Sequence, residues 1–273
     1  MAGRISQTFA KAKADNRGIL GVFVSAGDPS EDICVATLDA LVEAGADLIE
    51  LGMPFSDPMA DGPAIQAASL RAIAAGMTLE KTLKIASDFR NRHPDTPLIL
   101  MGYFNPIYIY GTSQFIDDAK KAGVDGLIIV DLPPEEDGEL CDPAIAAGLD
   151  FIRLTTPTTK GERLTRVLEK AGGFVYYVSI TGITGTKSAG ADSIKNAVED
   201  IRKATDLPVV TGFGIRTAEQ AAEAARLSDG AIVGSAVVEI IANNIDEAGT
   251  PSADIPQKIG QFVSELANAI AAK

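Results

Sequence analysis

Apolar and β-branched residues recur along the chain in short runs, near 20–25, 47–51, 98–102, 126–131, 151–155, 174–179, 208–212 and 231–234, with alanine-rich amphipathic stretches between them. Such alternation is that of a parallel sheet covered by helices. The helices are expected at 31–44, 78–91, 113–122, 135–147, 161–171, 192–204, 218–226 and 235–243, with one more opening the chain and another over 255–271. Eight strands suggest closure, so the expected architecture is a single (β/α)8 TIM barrel over residues 1–273 with additional N- and C-terminal helices. Three helix-to-strand junctions repeat a phrase, Glu43-Ala-Gly-Ala-Asp47, Lys121-Ala-Gly-Val-Asp125 and Ala146-Ala-Gly-Leu-Asp150. In each the glycine suits a helix C-cap.

Composition narrows the partners. Hydrophobic residues make up 46% of the 273, enough for a large core, and no linker or composition shift divides the chain. With 24 basic against 37 acidic residues the formal charge is -13, which disfavours nucleic acid and anionic membranes as partners. An anionic substrate then needs a local site that overrides this field. Tryptophan is absent and only five tyrosines occur, so no aromatic platform for nucleic acid is evident. The two cysteines, Cys34 and Cys141, lack metal-ligand spacing and read as small packing residues in helices. No stretch has the length of a membrane span and the N-terminus lacks a long apolar core, so a soluble cytoplasmic protein is expected.

The segment Asp47-Leu-Ile-Glu-Leu-Gly-Met-Pro-Phe-Ser-Asp-Pro-Met-Ala-Asp-Gly-Pro63 runs a carboxylate, Glu50, out of an apolar strand into a loop carrying Asp57 and Asp61. In a strand Leu48 and Glu50 share one face and Ile49 and Leu51 the other, which sets the charge among apolar neighbours. A buried carboxylate must be paired, protonated or functional. Asp57 and Asp61 also suit simple turns, because Asp-Pro and Asp-Gly are common turn formers.

A second constellation is rich in glycine. Gly212-Phe-Gly-Ile215 follows the seventh strand, Gly234-Ser235 the eighth, and Gly182-Ile-Thr-Gly185 the sixth. Loops after strands seven and eight of such barrels often bind phosphate, through backbone N–H groups and a helix N-terminus. Backbone amides accept an anion without a basic protein. The only histidine, His93, precedes the third strand and falls on the face away from the active end, so a histidine metal site or nucleophile triad is disfavoured. No predicted strand carries a lysine for a Schiff base, and Lys160 and Lys187 lie in loops. Glu50, Asp61, Asp131, tyrosines and backbone amides remain, an inventory that favours proton transfer by carboxylates. If a carbon–carbon bond is cleaved without lysine or metal, the substrate must accommodate the charge, as an indole protonated at C3 does. Another phosphate-binding barrel isomerase or aldolase, and a phosphate-binding module without catalysis, stay open on these residues.

The motifs resemble the tryptophan synthase alpha subunit family. The match runs from Gly27-Asp-Pro29 and the Glu50 to Pro63 segment, through Met101-Gly-Tyr-Phe-Asn-Pro-Ile-Tyr108 and Asp131-Leu-Pro133, to the three glycine turns. The resemblance implies reversible retro-aldol cleavage of indole-3-glycerol phosphate to indole and glyceraldehyde 3-phosphate. It also implies an α2β2 complex with a beta subunit that holds the pyridoxal phosphate and makes tryptophan from indole and serine; no cofactor or metal is implied in this chain. Carried onto matching positions, Glu50 is the general acid/base and Asp61 holds the indole N–H and stabilises positive charge on the ring. Phe23 and Tyr176 would line the substrate cavity, Gly185, Gly214, Gly234 and Ser235 would receive the phosphate, and the loops 57–60 and 186–191 would close over substrate. Asp57 is expected to be loop architecture. Two departures are Val22, where the family commonly has proline, and Ile180, where many relatives have arginine.

Overall fold

The parallel strands of the computed structural model, which describes residues 3–179, 187–212 and 214–272 and only the backbone of 187–190, are β1 (Ile19–Ser25), β2 (Leu48–Gly52), β3 (Leu98–Gly102), β4 (Gly126–Ile129), β5 (Asp150–Phe151), β6 (Arg153–Thr155), β7 (Val175–Val178), β8 (Val209–Gly212) and β9 (Gly230–Val233). Their order is β5-β4-β3-β2-β1-β9-β8-β7-β6. Only Ile152 separates β5 from β6, and its N–H donates to Leu127 O at 2.9 Å. The pair is therefore one interrupted strand that joins β4 on one side and β7 on the other, closing an eight-stranded barrel.

Period-two alternation sorts the side chains. One set, including Ile19, Leu48, Ile99, Ile128, Ile152, Phe174, Val210 and Ile232, fills the interior together with Ile5, Phe9 and Ala12 of α1 (Arg4–Ala14). Phe9 meets Phe174 at 5.7 Å between ring centres, so α1 plugs the barrel on the side where the strands begin. The other set, including Val22, Ile49, Leu51, Leu98 and Leu100, packs outward beneath the helices. Each such fully buried aliphatic stabilises the fold by about 1.5–3 kcal/mol. Because both faces are covered, the strands read as continuous apolar runs.

The repeated junction phrase has a structural meaning. Gly45, Gly123 and Gly148 adopt positive φ (98°, 78° and 80°), ending helices that residues with a Cβ would not end so easily. Two of the aspartates that follow then bind the start of the preceding strand. Asp47 accepts Leu20 N–H at 2.9 Å and a bidentate Arg17 at 2.7 Å, while Asp125 accepts Leu98 N–H at 2.9 Å, Arg90 at 2.7 Å and Arg4 at 2.9 Å. Asp229 repeats the device on Val209 N–H at 2.8 Å, with Arg202 at 2.9 Å. Asp125→Ala strands Arg90 and a backbone donor, and is expected to destabilise the protein by about 2–4 kcal/mol in urea unfolding. Turnover should be unchanged, since this face is remote from the strand carboxyl ends; a comparable loss of activity in the folded variant would refute that separation.

Helix starts follow their caps: Ser30 accepts Ile33 N–H before α2 (Glu31–Glu43), Thr78 accepts Lys81 N–H before α4 (Leu79–Arg92), and Thr217 forms a reciprocal box with Gln220 before α10 (Ala218–Leu227). Two helices escape the sequence pattern. α3 (Pro63–Ala74) buries Ala68, Ser69 and Ala72 and exposes Leu70 and Ile73, inverting the usual apolar stripe. α5 (Phe104–Tyr110) is seven residues long and buries only Ile107. Next come α6 (Thr112–Lys121), α7 (Cys141–Ala146), α8 (Gly161–Leu168), α9 (Lys187–Ala204), α11 (Ser235–Ala242) and α12 (Ile255–Ala271).

The helix expected at 135–147 is instead a 3-10 turn, Pro134–Glu139, followed by α7. Asp137 turns inward to pair with the buried Arg153, whose guanidinium also donates to Leu132 O at 3.2 Å and Cys141 Sγ at 3.4 Å. That inward pull interrupts the helix at Leu140, which has φ -146°. Cys34 and Cys141 are free and buried. His93 ends α4, its Nε2 lying 2.7 Å from Asp39, on the face where the strands begin. Among the described residues no helix is long and apolar enough to cross a membrane.

Candidate active site

All the strands point their carboxyl ends to one face, and β2 brings Glu50 towards it. Leu48 lies in the interior layer while Ile49 and Leu51 face the helices, so Glu50, two residues past Leu48, projects inward. The residue is 1% exposed, its Oε1 has no hydrogen-bond partner among the described residues, and burial pushes its carboxyl up to about 8. At neutral pH it therefore keeps its proton. Tyr176 packs in the interior layer, where burial and then the neighbouring Glu50 push its phenol well above the ordinary range.

Beyond β2 the chain forms a tight loop. Met59 N–H donates to Asp57 O at 2.9 Å, Asp61 N–H to Pro58 O at 3.0 Å, and Gln66 reaches back to Asp61 O at 2.8 Å. Pro63 then starts α3, needing no N–H there. Asp61 lines a small cavity whose wall also includes Phe23, Ser25, Phe55, Ile65, Met101 and Tyr103. Burial raises the Asp61 carboxyl, and a hydrogen bond from Tyr103 opposes that rise. Asp57 is exposed and bonded to the Ser56 hydroxyl.

Glycines make room for the aromatic residues. A Cβ at Gly52 would come within 2.6 Å of the Phe23 ring, and one at Gly212 would collide with the Tyr176 hydroxyl. Phe23 thus lines this cavity. Tyr176 does not belong to the described part of that wall and instead stands deeper, beside Glu50.

The described part of the glycine-rich constellation is coherent. Gly212 pairs with Ile232, so Gly214 and Gly234, each two residues further, leave neighbouring strands at one height. Gly214 has φ +72°, and a Cβ there would meet nothing within 4 Å. Gly234 is the N-cap of α11, and no side chain caps that helix. Ser235 opens the helix, leaving its first N–H groups free to meet an anion. Arg216 is engaged by Glu239 at 2.7 Å, so any anion here depends mainly on backbone dipoles. Gly185 and its turn, like Ile180, lie outside the described residues.

Strand periodicity misses some of the site. Tyr103 falls two residues past Met101, on the inward face, and that spacing was signal enough to find it. Ser25 Oγ, buried without a partner in the cavity wall, carries a weaker signal. Asp131, read as an acid of the active end, accepts Phe104 N–H at 2.8 Å and so anchors α5.

The family model described as the tryptophan synthase alpha chain matches residues 9–269. The chain belongs to the tryptophan synthase alpha chain family. A solved tryptophan synthase subunit alpha from Legionella pneumophila str. Paris is 40% identical with a TM-score of 0.90, each chain being covered over 99%. The alpha chain from Legionella pneumophila subsp. pneumophila is 38% identical at a TM-score of 0.88, covering 99% of this chain and 98% of that one. Tryptophan synthase from Mycobacterium tuberculosis is 33% identical at 0.88, with 100% of both chains covered. As a tryptophan synthase alpha chain the protein is a carbon–carbon lyase of indole-3-glycerol phosphate cleavage, in tryptophan biosynthesis. At the Val22 departure the side chain is fully buried on the outward face of β1, under the helices.

Proposed function

We propose that Glu50 and Asp61 perform the cleavage of indole-3-glycerol phosphate as an acid/base and charge-stabilising pair. The observation that carries this is the buried Glu50 carboxyl, whose Oε1 has no hydrogen-bond partner among the described residues and which burial pushes up to about 8. Asp61 stands by the adjoining cavity, and the amide cradle lies two and three strands around the ring, after β9 and β8. Glu50 gives its proton to indole C3, and the positive charge that develops on the ring is held by Asp61, which accepts the indole N–H. Glu50, now a carboxylate, takes the proton of the side-chain hydroxyl as the carbon–carbon bond breaks. Indole and glyceraldehyde 3-phosphate leave and Glu50 has its proton back. Phe23, Ile65 and Met101 supply apolar surface for the ring, and the amides at Gly214, Gly234 and Ser235, with Gly185, receive the phosphate.

The partner belongs to the same proposal: a beta subunit in an α2β2 complex, holding the pyridoxal phosphate and consuming the indole in the cytoplasm. Exposed apolar residues on the segments that follow β2 and β3, Met59 at 79%, Tyr108 at 62% and Ile109 at 77%, support a docking face there. The purified chain is expected to release indole from indole-3-glycerol phosphate, faster with a beta subunit, and to give a 2:2 mass by light scattering. No indole under either condition would overturn the catalytic assignment, and no complex at any tested concentration the partner.

A further inference from the structure

Asp61 can hold an indole N–H and compensate ring charge only as an anion, yet it sits where burial favours its protonated form. Something in the wall must counter that. Tyr103, 2% exposed at the N-cap of α5, accepts Ala60 N–H at 3.0 Å, which sets its hydroxyl beside the next residue, Asp61, on the wall of the same cavity. A phenol has one proton to donate and lone pairs to accept with. With Ala60 N–H on the acceptor side, the proton is directed to the carboxylate. The Tyr103 ring is held by Phe55 at 5.5 Å between centres, so the hydroxyl is not free to swing away.

We propose that Tyr103 is the positioning residue of Asp61: its hydroxyl, oriented by Ala60 N–H, donates to the Asp61 carboxylate and holds that group both in place and in its charged form. The proposal rests on the reading of Asp61 given above and adds what sets its charge. Other titratable groups bear on the pair from neighbouring elements. Burial, then Asp61 itself and, more weakly, Asp131 after β4 oppose ionisation of Tyr103, which keeps the phenol a donor. Asp57 shares the loop but is bonded to Ser56, and Glu50 on β2 lies beside Tyr176. Glu50 has no donor of this kind on Oε1. Two carboxylates of one site are thereby separated in charge, one left protonated and one held ionised.

Tyr103→Phe in the full chain removes the hydroxyl and keeps the ring. Carbon-13 titration of the Asp61 carboxyl should show its midpoint rising by about one pH unit. The acidic limb of the kcat profile should rise with it, giving about a tenfold loss of kcat on that limb, with the basic limb and KM little changed. In an Asp61→Asn background the same change should have no further effect. An unmoved Asp61 titration, or a loss uniform across pH and additive with Asp61→Asn, would overturn the proposal. The carboxyl titration needs no turnover, so failure of the wild-type chain to release indole would sink the catalytic reading and leave the role of Tyr103 to be decided by the titration.

Discussion

Glu50→Gln is expected to lower kcat for indole release by about a hundredfold to ten-thousandfold, the range for removing a positioned general acid/base, while making the protein more stable at neutral pH. The two effects share a cause. The Glu50 carboxyl is raised to about 8 by burial alone, whereas in the unfolded chain it titrates near its ordinary value of 4.5. Between those values the folded state binds the extra proton, so wild-type stability falls as pH rises through the window. Glutamine has no proton to lose and is spared that fall. By linkage the gain reaches at most about 3 kcal/mol at pH 7 and vanishes towards pH 4. Paired urea unfolding curves at pH 4 and pH 7 measure it, and a stability difference independent of pH would show that Glu50 is not held protonated. Wild-type kcat should fall above about pH 8, where the acid form is lost.

Asp61→Ala is expected to lower kcat by about a hundredfold to a thousandfold, the size seen when one preorganised partner of a developing charge is removed. Positive charge grows on the indole ring only as C3 takes the proton, so the interaction is stronger in the transition state than in the bound substrate. The loss should therefore fall mainly on kcat, with KM rising less. Asp61→Asn keeps the size and a hydrogen-bonding group but not the charge, and should recover only a small part. Full recovery would show that the carboxylate merely orients the ring. Steady-state assays of indole release distinguish these outcomes. Stability should change little, because Asp61 holds the loop through its backbone N–H and C=O rather than through its carboxylate.

The two carboxylates also mark how far residues could be read before their surroundings were known. Leu48-Ile49-Glu50-Leu51 states its own two faces, because a strand alternates whatever it packs against. Glu50 as an inward acid was legible on that ground, and so were eight strands and most helices. The same rule, carried two residues past Met101, would have placed Tyr103 inward but not revealed its purpose. Its partners, Ala60 and Asp61, are 43 and 42 residues earlier, and only the β2–β3 pairing brings those segments together.

Other features were invisible for related reasons. The helices Pro63–Ala74 and Phe104–Tyr110 expose apolar side chains, so periodicity points the wrong way or is too short to register. Arg153 and Asp137 look like ordinary surface charges in the chain, yet they pair in the buried layer and break a helix to do so. Local periodicity and residue type by themselves determined the barrel and the inward placing of Glu50. Tertiary structure decided which way each carboxyl is pushed, since burial and hydrogen-bond donors come from segments distant in sequence, and electrostatic free energy depends on what surrounds a group in space.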